Sequence, residues 1–242
     1  MLFALGVIAG FINVMAGGGS TLTLPALIFL GLTPGEANGT NRIAILIQNI
    51  SAVASFKKEK YSQFAVSWKL ALFTLPGAII GALAAVKIND DLFQKILGIV
   101  LIGVAVSMIL PKGSITVEEK RTAKNIPAKV FVAMFFVGFF GGFVQAGVGF
   151  LLMFVLHFLM RADLVRVNMH KVFIVLIYTV PAVLIFAIGG KIDFVWGLVL
   201  AAGNAVGAWQ SAKVSARKGQ KAIKIILAVV IIIMSIKLLN IF

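Results

Sequence analysis

The stretch NVMAGGGSTLTLP, residues 13–25, decides how the chain is read. Three consecutive glycines and a Ser-Thr pair interrupt a run otherwise apolar enough to lie in a bilayer. Lipid offers no hydrogen-bond partner, so irregular backbone at that depth is tolerated only where protein covers it or a water-filled cavity solvates it. The triplet therefore predicts a cavity. Successive glycines ahead of a helix can aim several N–H groups at one point, and the helix N-terminus adds the positive end of its dipole. Both favour an anion, and Ser20 and Thr21 add hydroxyls beside it.

The surrounding composition is that of a polytopic membrane protein. Of 242 residues, 61% are hydrophobic and 12% charged, with a mean hydropathy of +1.08; a soluble domain is nearer half apolar and a quarter charged. Apolar runs near the roughly 20 residues that a spanning helix needs recur from end to end and leave no room for a separate soluble domain. The first run starts at Leu2 without a charged n-region, which reads as structure and not as a cleaved leader. Cysteine is absent, which excludes disulfides, thiolate metal sites, iron–sulfur clusters and cysteine nucleophiles. The net charge of +14 gathers between hydrophobic runs, so topology explains it better than nucleic-acid binding does.

A duplication is visible by eye. GGGSTLTLPALIFLGLTPGEANGTNRIA, from Gly17, lies without a gap over GVGFLLMFVLHFLMRADLVRVNMHKVFI, from Gly147. Asn38 then meets Asn168, and Thr40-Asn41 meets His170-Lys171. Further on, Gly77 and Gly81 meet Gly203 and Gly207. Each half reads as five helical pieces: 2–16, 20–31, 40–56, 65–87 and 92–110, then 129–146, 149–160, 168–189, 194–215 and 220–240. The pieces flanking the glycines are too short to span, so each pair forms a broken or re-entrant hairpin that returns the chain to the side it came from. Three full crossings per half remain. That odd number inverts the second half relative to the first.

The basic residues test this topology, because Lys and Arg favour cytoplasmic loops. With residues 57–60 placed inside, only Arg42, Lys87, Lys95, Lys191 and Lys237 of the 22 lysines and arginines fall outside. The expected fold is thus an all-α polytopic membrane protein of two inverted repeats, 1–110 and 129–242, joined by a polar cytoplasmic linker over 111–128. It would lie in the cell membrane with both termini outside.

GEANGTNR, residues 35–42, opens the third piece, with Asn38, Thr40 and Asn41 offering capping groups and Arg42 a permanent charge. Intramembrane ionisable residues tend to mark substrate paths, although an arginine at a helix end also snorkels to headgroups. Gln48 and Asn49 continue a polar stripe from Asn41 down the same face. In the second half Asn168, His170 and Lys171 stand at the corresponding place. His170 and His157 are the candidates for carrying a proton, the plainer readings being a capping contact and a satisfied core histidine. Gly77, Gly81, Gly203 and Gly207 read as close helix packing. No nucleophile–base pair, Walker loop or metal motif is present, so the chain is read as neither an enzyme nor a pump, without cofactor or metal.

GFINVMAGGGSTLTLPALIFLGLTPGEANGTNRIA, residues 10–44, resembles the first-half motif of the sulfite exporter TauE/SafE family: a Gly-rich break (Gly17–Gly19), a Pro-Ala-Leu run (Pro25–Leu27) and an Ala-x-Gly-Thr-Asn segment (Ala37–Asn41). The likeness extends over nearly the whole chain. The second half departs from the pattern, since QAGVGFLLMFVL lacks the full triplet and VNMHK replaces the Gly-Thr-Asn segment. The resemblance implies a secondary carrier exporting sulfite, an organosulfonate or a related sulfur anion. Its substrate-binding residues would be Gly17, Gly18, Gly19, Ser20, Thr21, Asn38, Thr40, Asn41 and Arg42, with Asn168, His170 and Lys171 from the second half. Its expected partners are that anion and the lipid bilayer, not nucleic acid, with self-association left open. An anion channel, a carrier of another small organic anion, or a membrane sensor would use the same features.

Overall fold

The computed structural model describes residues 1–109, 126–160 and 162–238, and every regular element among them is helical. Helix α1 (Leu2–Met15) stops where the glycines begin, and α2 (Ser20–Phe29) starts just past them. Then come α3 (Pro34–Lys58), α4 (Phe64–Lys87) and α5 (Asp90–Ile109). The second half supplies α6 (Ala128–Phe143), α7 (Val148–Phe154), which widens into a π-turn over Val155–Leu159, α8 (Leu164–Ile188) and α9 (Phe194–Leu238). Two separate helices were expected where α9 stands. The structure has that break: the helical backbone is interrupted at Gly219, whose φ of 66° belongs to the left-handed region open to glycine, and a helix stands on either side of it within the α9 range. The expected linker lies outside the described residues up to 125, as does the extreme C-terminus from 239.

Two helices begin earlier than expected, and for the same reason. At α3 the Thr33 hydroxyl accepts from Glu36 N (3.3 Å), Glu36 Oε2 accepts from Thr33 N (2.9 Å), and Pro34 occupies the first turn. This reciprocal capping box starts the helix at residue 34 and not near 40. At α8, Asp163 Oδ1 accepts from Val165 N and Arg166 N, both at 3.0 Å. Asn38, Thr40, Asn41 and Arg42 are consequently interior helical residues with buried side chains, not capping groups.

Glycine sets how closely the halves approach. A Cβ on Gly77 or Gly81 of α4 would run into the carbonyl oxygens of Phe135 and Phe139 on α6; one on Gly203 or Gly207 of α9 would run into those of Phe3 and Val7 on α1. In return, Gly138 and Gly142 of α6 seat on Thr74 and Ala78, while Gly6 and Gly10 of α1 seat on Leu200 and Asn204. Lipid gives apolar helices no reason to associate, so backbone contact across small residues supplies the attraction. The pattern repeats between the halves: α1 lies on α9 as α6 lies on α4, and α3 lies on α9 as α8 lies on α4.

Outward faces carry Leu72, Phe73, Ile80, Leu184 and Leu198. Among the described residues, α4 and α8 are long and apolar enough to cross a membrane, and α1, α2, α6 and the α7 segment are shorter apolar helices. Ion pairs tie the halves together beyond both ends of α3. Arg217 meets Glu59 at 2.8 Å past its C-terminus. Asp90, which accepts from Gly35 N (3.1 Å) in the first turn of α3, meets Lys191 at 3.4 Å. The hydrogen bond from Arg217 holds the Glu59 carboxyl below its ordinary value.

Candidate functional site

The two helix breaks meet face to face. Gly17 (φ 98°) packs on Gly149 so tightly that a Cβ there would stand 2.7 Å from Gly149 Cα and Phe150 N. The α6–α7 break turns on Gln145 (φ 66°) and Gly147 (φ 78°). Gln145 and Lys60 are the non-glycine residues with positive φ among those described, a conformation that costs a side chain of this kind energy unless its surroundings hold it.

Around Gly18 the chain satisfies itself in part: Gly18 O accepts from Thr21 Oγ1 (2.6 Å) and Thr21 N (3.1 Å), so the Thr21 hydroxyl is turned into its own loop. A Cβ on Gly18 would meet the Phe150 ring, and one on Gly19 would run into Ala9 O. Ser20 Oγ accepts from Asn41 Nδ2 (3.2 Å), and Asn41 Oδ1 accepts from Thr23 (2.8 Å). Asn41 thereby pins α2 to α3. The Thr40 hydroxyl accepts from Asp193 N (2.9 Å).

Each half sends a buried cation into the broken helix of the other. Arg42 Nη1 donates to Gly141 O (3.1 Å) and Nη2 to Gly142 O (2.5 Å), with Phe143 O and Asn38 Oδ1 farther off at 3.4 and 3.5 Å. The guanidinium lies 4.4 Å over the Phe186 ring, and Asn38 Nδ2 donates to Phe143 O (2.8 Å). Lys171 Nζ donates to Val14 O (2.7 Å), Asn13 O (3.2 Å) and Asn168 Oδ1 (3.0 Å). A helix leaves its last four carbonyls without internal partners and carries a partial negative charge there. Arg42 answers that need at the end of α6, and Lys171 does so at the end of α1.

The histidines lie elsewhere. His170 Nδ1 pairs with Ser67 Oγ at 2.8 Å on the buried face of α8. His157, in the π-turn, bonds Ala162 O (2.8 Å) and packs against Phe158.

Beside the Gly17–Gly149 crossing is a cavity of about 10 Å³, near the threshold for one water. Its polar lining is Asn13, Gln48, Asn49, Gln145 and Lys171. Of the sequence-predicted binding residues only Lys171 lies on this wall; the glycine triplet, Ser20, Thr21, Asn38 to Arg42, Asn168 and His170 do not. Asn13 and Gln145 were missed by sequence reasoning. The available signal was an amide residue just ahead of each glycine break, concealed because aligning the glycines without a gap sets Asn13 opposite Phe143.

A family model described as sulfite exporter TauE/SafE matches residues 2–238. A probable membrane transporter protein of Escherichia coli (strain K12), YfcA, is 29% identical over 99% of this chain and 88% of its own length. Another, from Sinorhizobium sp, is 29% identical over 98% of this chain and 91% of its own. YunE, a probable membrane transporter protein of Bacillus subtilis (strain 168), is 25% identical over 99% and 96%. No solved structure matches the chain.

Proposed function

The chain belongs to the sulfite exporter TauE/SafE family and is a membrane transporter, and from that premise we propose a secondary carrier that exports a small anion by alternating access. Sulfite, an organosulfonate or a related sulfur-containing species is the expected cargo. The observation that carries this reading is the meeting of two broken helices at Gly17 and Gly149 beside a small cavity, one wall of which is polar. Carriers built from inverted repeats bind where broken helices meet and rock one half against the other.

Further support comes from the ends of the molecule. The Glu59–Arg217 and Asp90–Lys191 pairs join the halves at opposite ends of α3, so opening one end need not break the other. The same contacts agree with a topology that puts 57–60 and 213–218 on the cytoplasmic side and 89–90 and 191 outside. In this conformation the donors offered at Gly17–Thr21 are partly spent within the protein, Gly17 N on Ile12 O and the Thr21 hydroxyl on Gly18 O, and on this reading His170 or His157 would carry a coupled proton.

Counterflow in proteoliposomes loaded with sulfite, sulfoacetate or taurine tests the reading. Saturable exchange across the membrane supports a carrier. Conductance without exchange would replace it with a channel, and tight binding without movement with a sensor.

A further inference from the structure

The cavity has one formal charge and several amides, and that inventory specifies a ligand. Gln48 Oε1 is fully engaged: it accepts from Asn13 Nδ2 and Asn204 Nδ2, both at 3.2 Å. Its NH2 group therefore points the remaining way and donates no hydrogen bond among the described residues. Gln145 repeats the arrangement, its Oε1 accepting from Tyr178 OH (3.2 Å) and its NH2 making no bond among the described residues. Asn49, by contrast, uses its NH2 on Ile45 O (2.7 Å). Two amide donors, one from each half, thus face a space that also touches the Lys171 side chain.

Among the described residues the Lys171 ammonium is opposed by carbonyl and amide dipoles. No carboxylate lines the cavity, and a helix C-terminus supplies about half a charge. The lining is therefore net positive by no more than one charge. Arg42 is not part of this wall; its terminal nitrogens are committed to the end of α6 and its face is covered by Phe186. Gln145 is held there at positive φ, a strain of the kind that folds retain at working sites.

Resting on the carrier reading above, we propose that this cavity is the anion site, that Lys171 with the amide groups of Gln48 and Gln145 forms it, and that it takes a singly charged oxyanion in preference to a doubly charged one. Three donor groups suit an anion with three terminal oxygens, and one lysine balances one charge. In this structure the space holds about one water, so the ligand enters as the ends of α1 and α6 part. Because Lys171 also holds the end of α1, an anion that draws on its protons loosens the grip of α8 on the opposite half.

Calorimetric titration of the detergent-solubilised full chain with methanesulfonate and with sulfate is the test. The two ions are close in size and differ by one charge. Methanesulfonate should bind at least tenfold more tightly than sulfate, and Lys171→Gln and Gln145→Met should each weaken it at least tenfold. Gln145→Met keeps the length and backbone demand of the residue, so it reads the site even where Lys171→Gln misfolds. Tighter sulfate binding, unchanged affinity in folded Gln145→Met, or no methanesulfonate binding by the intact chain would each overturn the proposal. Lost affinity together with lost counterflow in the folded variants would sustain it, counterflow intact in variants that no longer bind would overturn it, and binding without any counterflow by the intact chain would leave the site standing while removing the carrier reading.

Discussion

Replacing Arg42 by methionine separates two roles that a buried arginine can have in a transporter. The Gly141 and Gly142 carbonyls fall in the last turn of α6, beyond the reach of the helix's own donors, and Arg42 contacts them at 3.1 and 2.5 Å. Phe143 O keeps Asn38 as a donor, so the substitution strands two carbonyls. A buried acceptor left without a partner costs about 1–3 kcal/mol, hence about 2–6 kcal/mol for the pair. Removing a desolvated charge offsets part of that, which places the expected loss at about 2 kcal/mol. For a chain of this size that lowers the melting temperature by at least about 4 °C. Arg42→Lys keeps the charge but loses the fork that spans both carbonyls, and should fall between the two. Heating in detergent, followed by the fluorescence of Trp68, Trp196 and Trp209, measures the shift, with counterflow run on the same preparations. An Arg42→Met protein that melts within about 1 °C of the parent yet exchanges nothing would refute the bracing role and return Arg42 to the substrate.

Other substitutions probe the packing, the ends and the topology. Gly142→Val drives a side chain into Ala78 O and should abolish a monodisperse peak in size exclusion, whereas Gly98→Ala meets nothing within 4 Å and should hold or raise the melting temperature; equal effects at both sites would dismiss the α4–α6 contact as decisive. Thr33→Ala removes half of a capping box and should cost about 1 kcal/mol, read as a small fall in melting temperature. The folded-state pKa of Glu59 is depressed by Arg217, so the pair's contribution is present above the ordinary value of 4.5 and is lost as pH falls through the lowered one. The difference in melting temperature between the parent and Glu59→Gln should therefore shrink on acidification below that value and at high salt; a difference that stays constant with both would show the pair to be inert. Since the chain has no cysteine, Ser62→Cys and Asn89→Cys can be labelled without background, and an impermeant maleimide should reach them from opposite sides. Labelling from one side would break the topology.

What the sequence made legible, and what it hid, divides along local against long-range physics. The helical pieces, the break at Gly17–Gly19 and the pairing of Gly77 with Gly203 were readable because each is a local pattern repeated in the same chain. The starts of α3 and α8 were written just as locally, in Thr33-Pro34-Gly35-Glu36 and in Asp163, but the run of polar residues that follows Glu36 looked like the cap itself. The partners of Arg42 were out of reach for a different reason. Backbone carbonyls carry no side-chain signature, so no residue type at 141 or 142 announces that an arginine about a hundred positions earlier will end there. Charge alone invited an anion as its partner, and the helix terminus supplied a competing one. Lys171 makes the same kind of contact with the end of α1, but it also borders the cavity, beside Gln48 and Gln145. Two cations that look equivalent in the sequence are thus distinguished by position: one faces only protein, and the other faces protein and open space together. Only the second can exchange a backbone partner for a ligand without leaving a void behind.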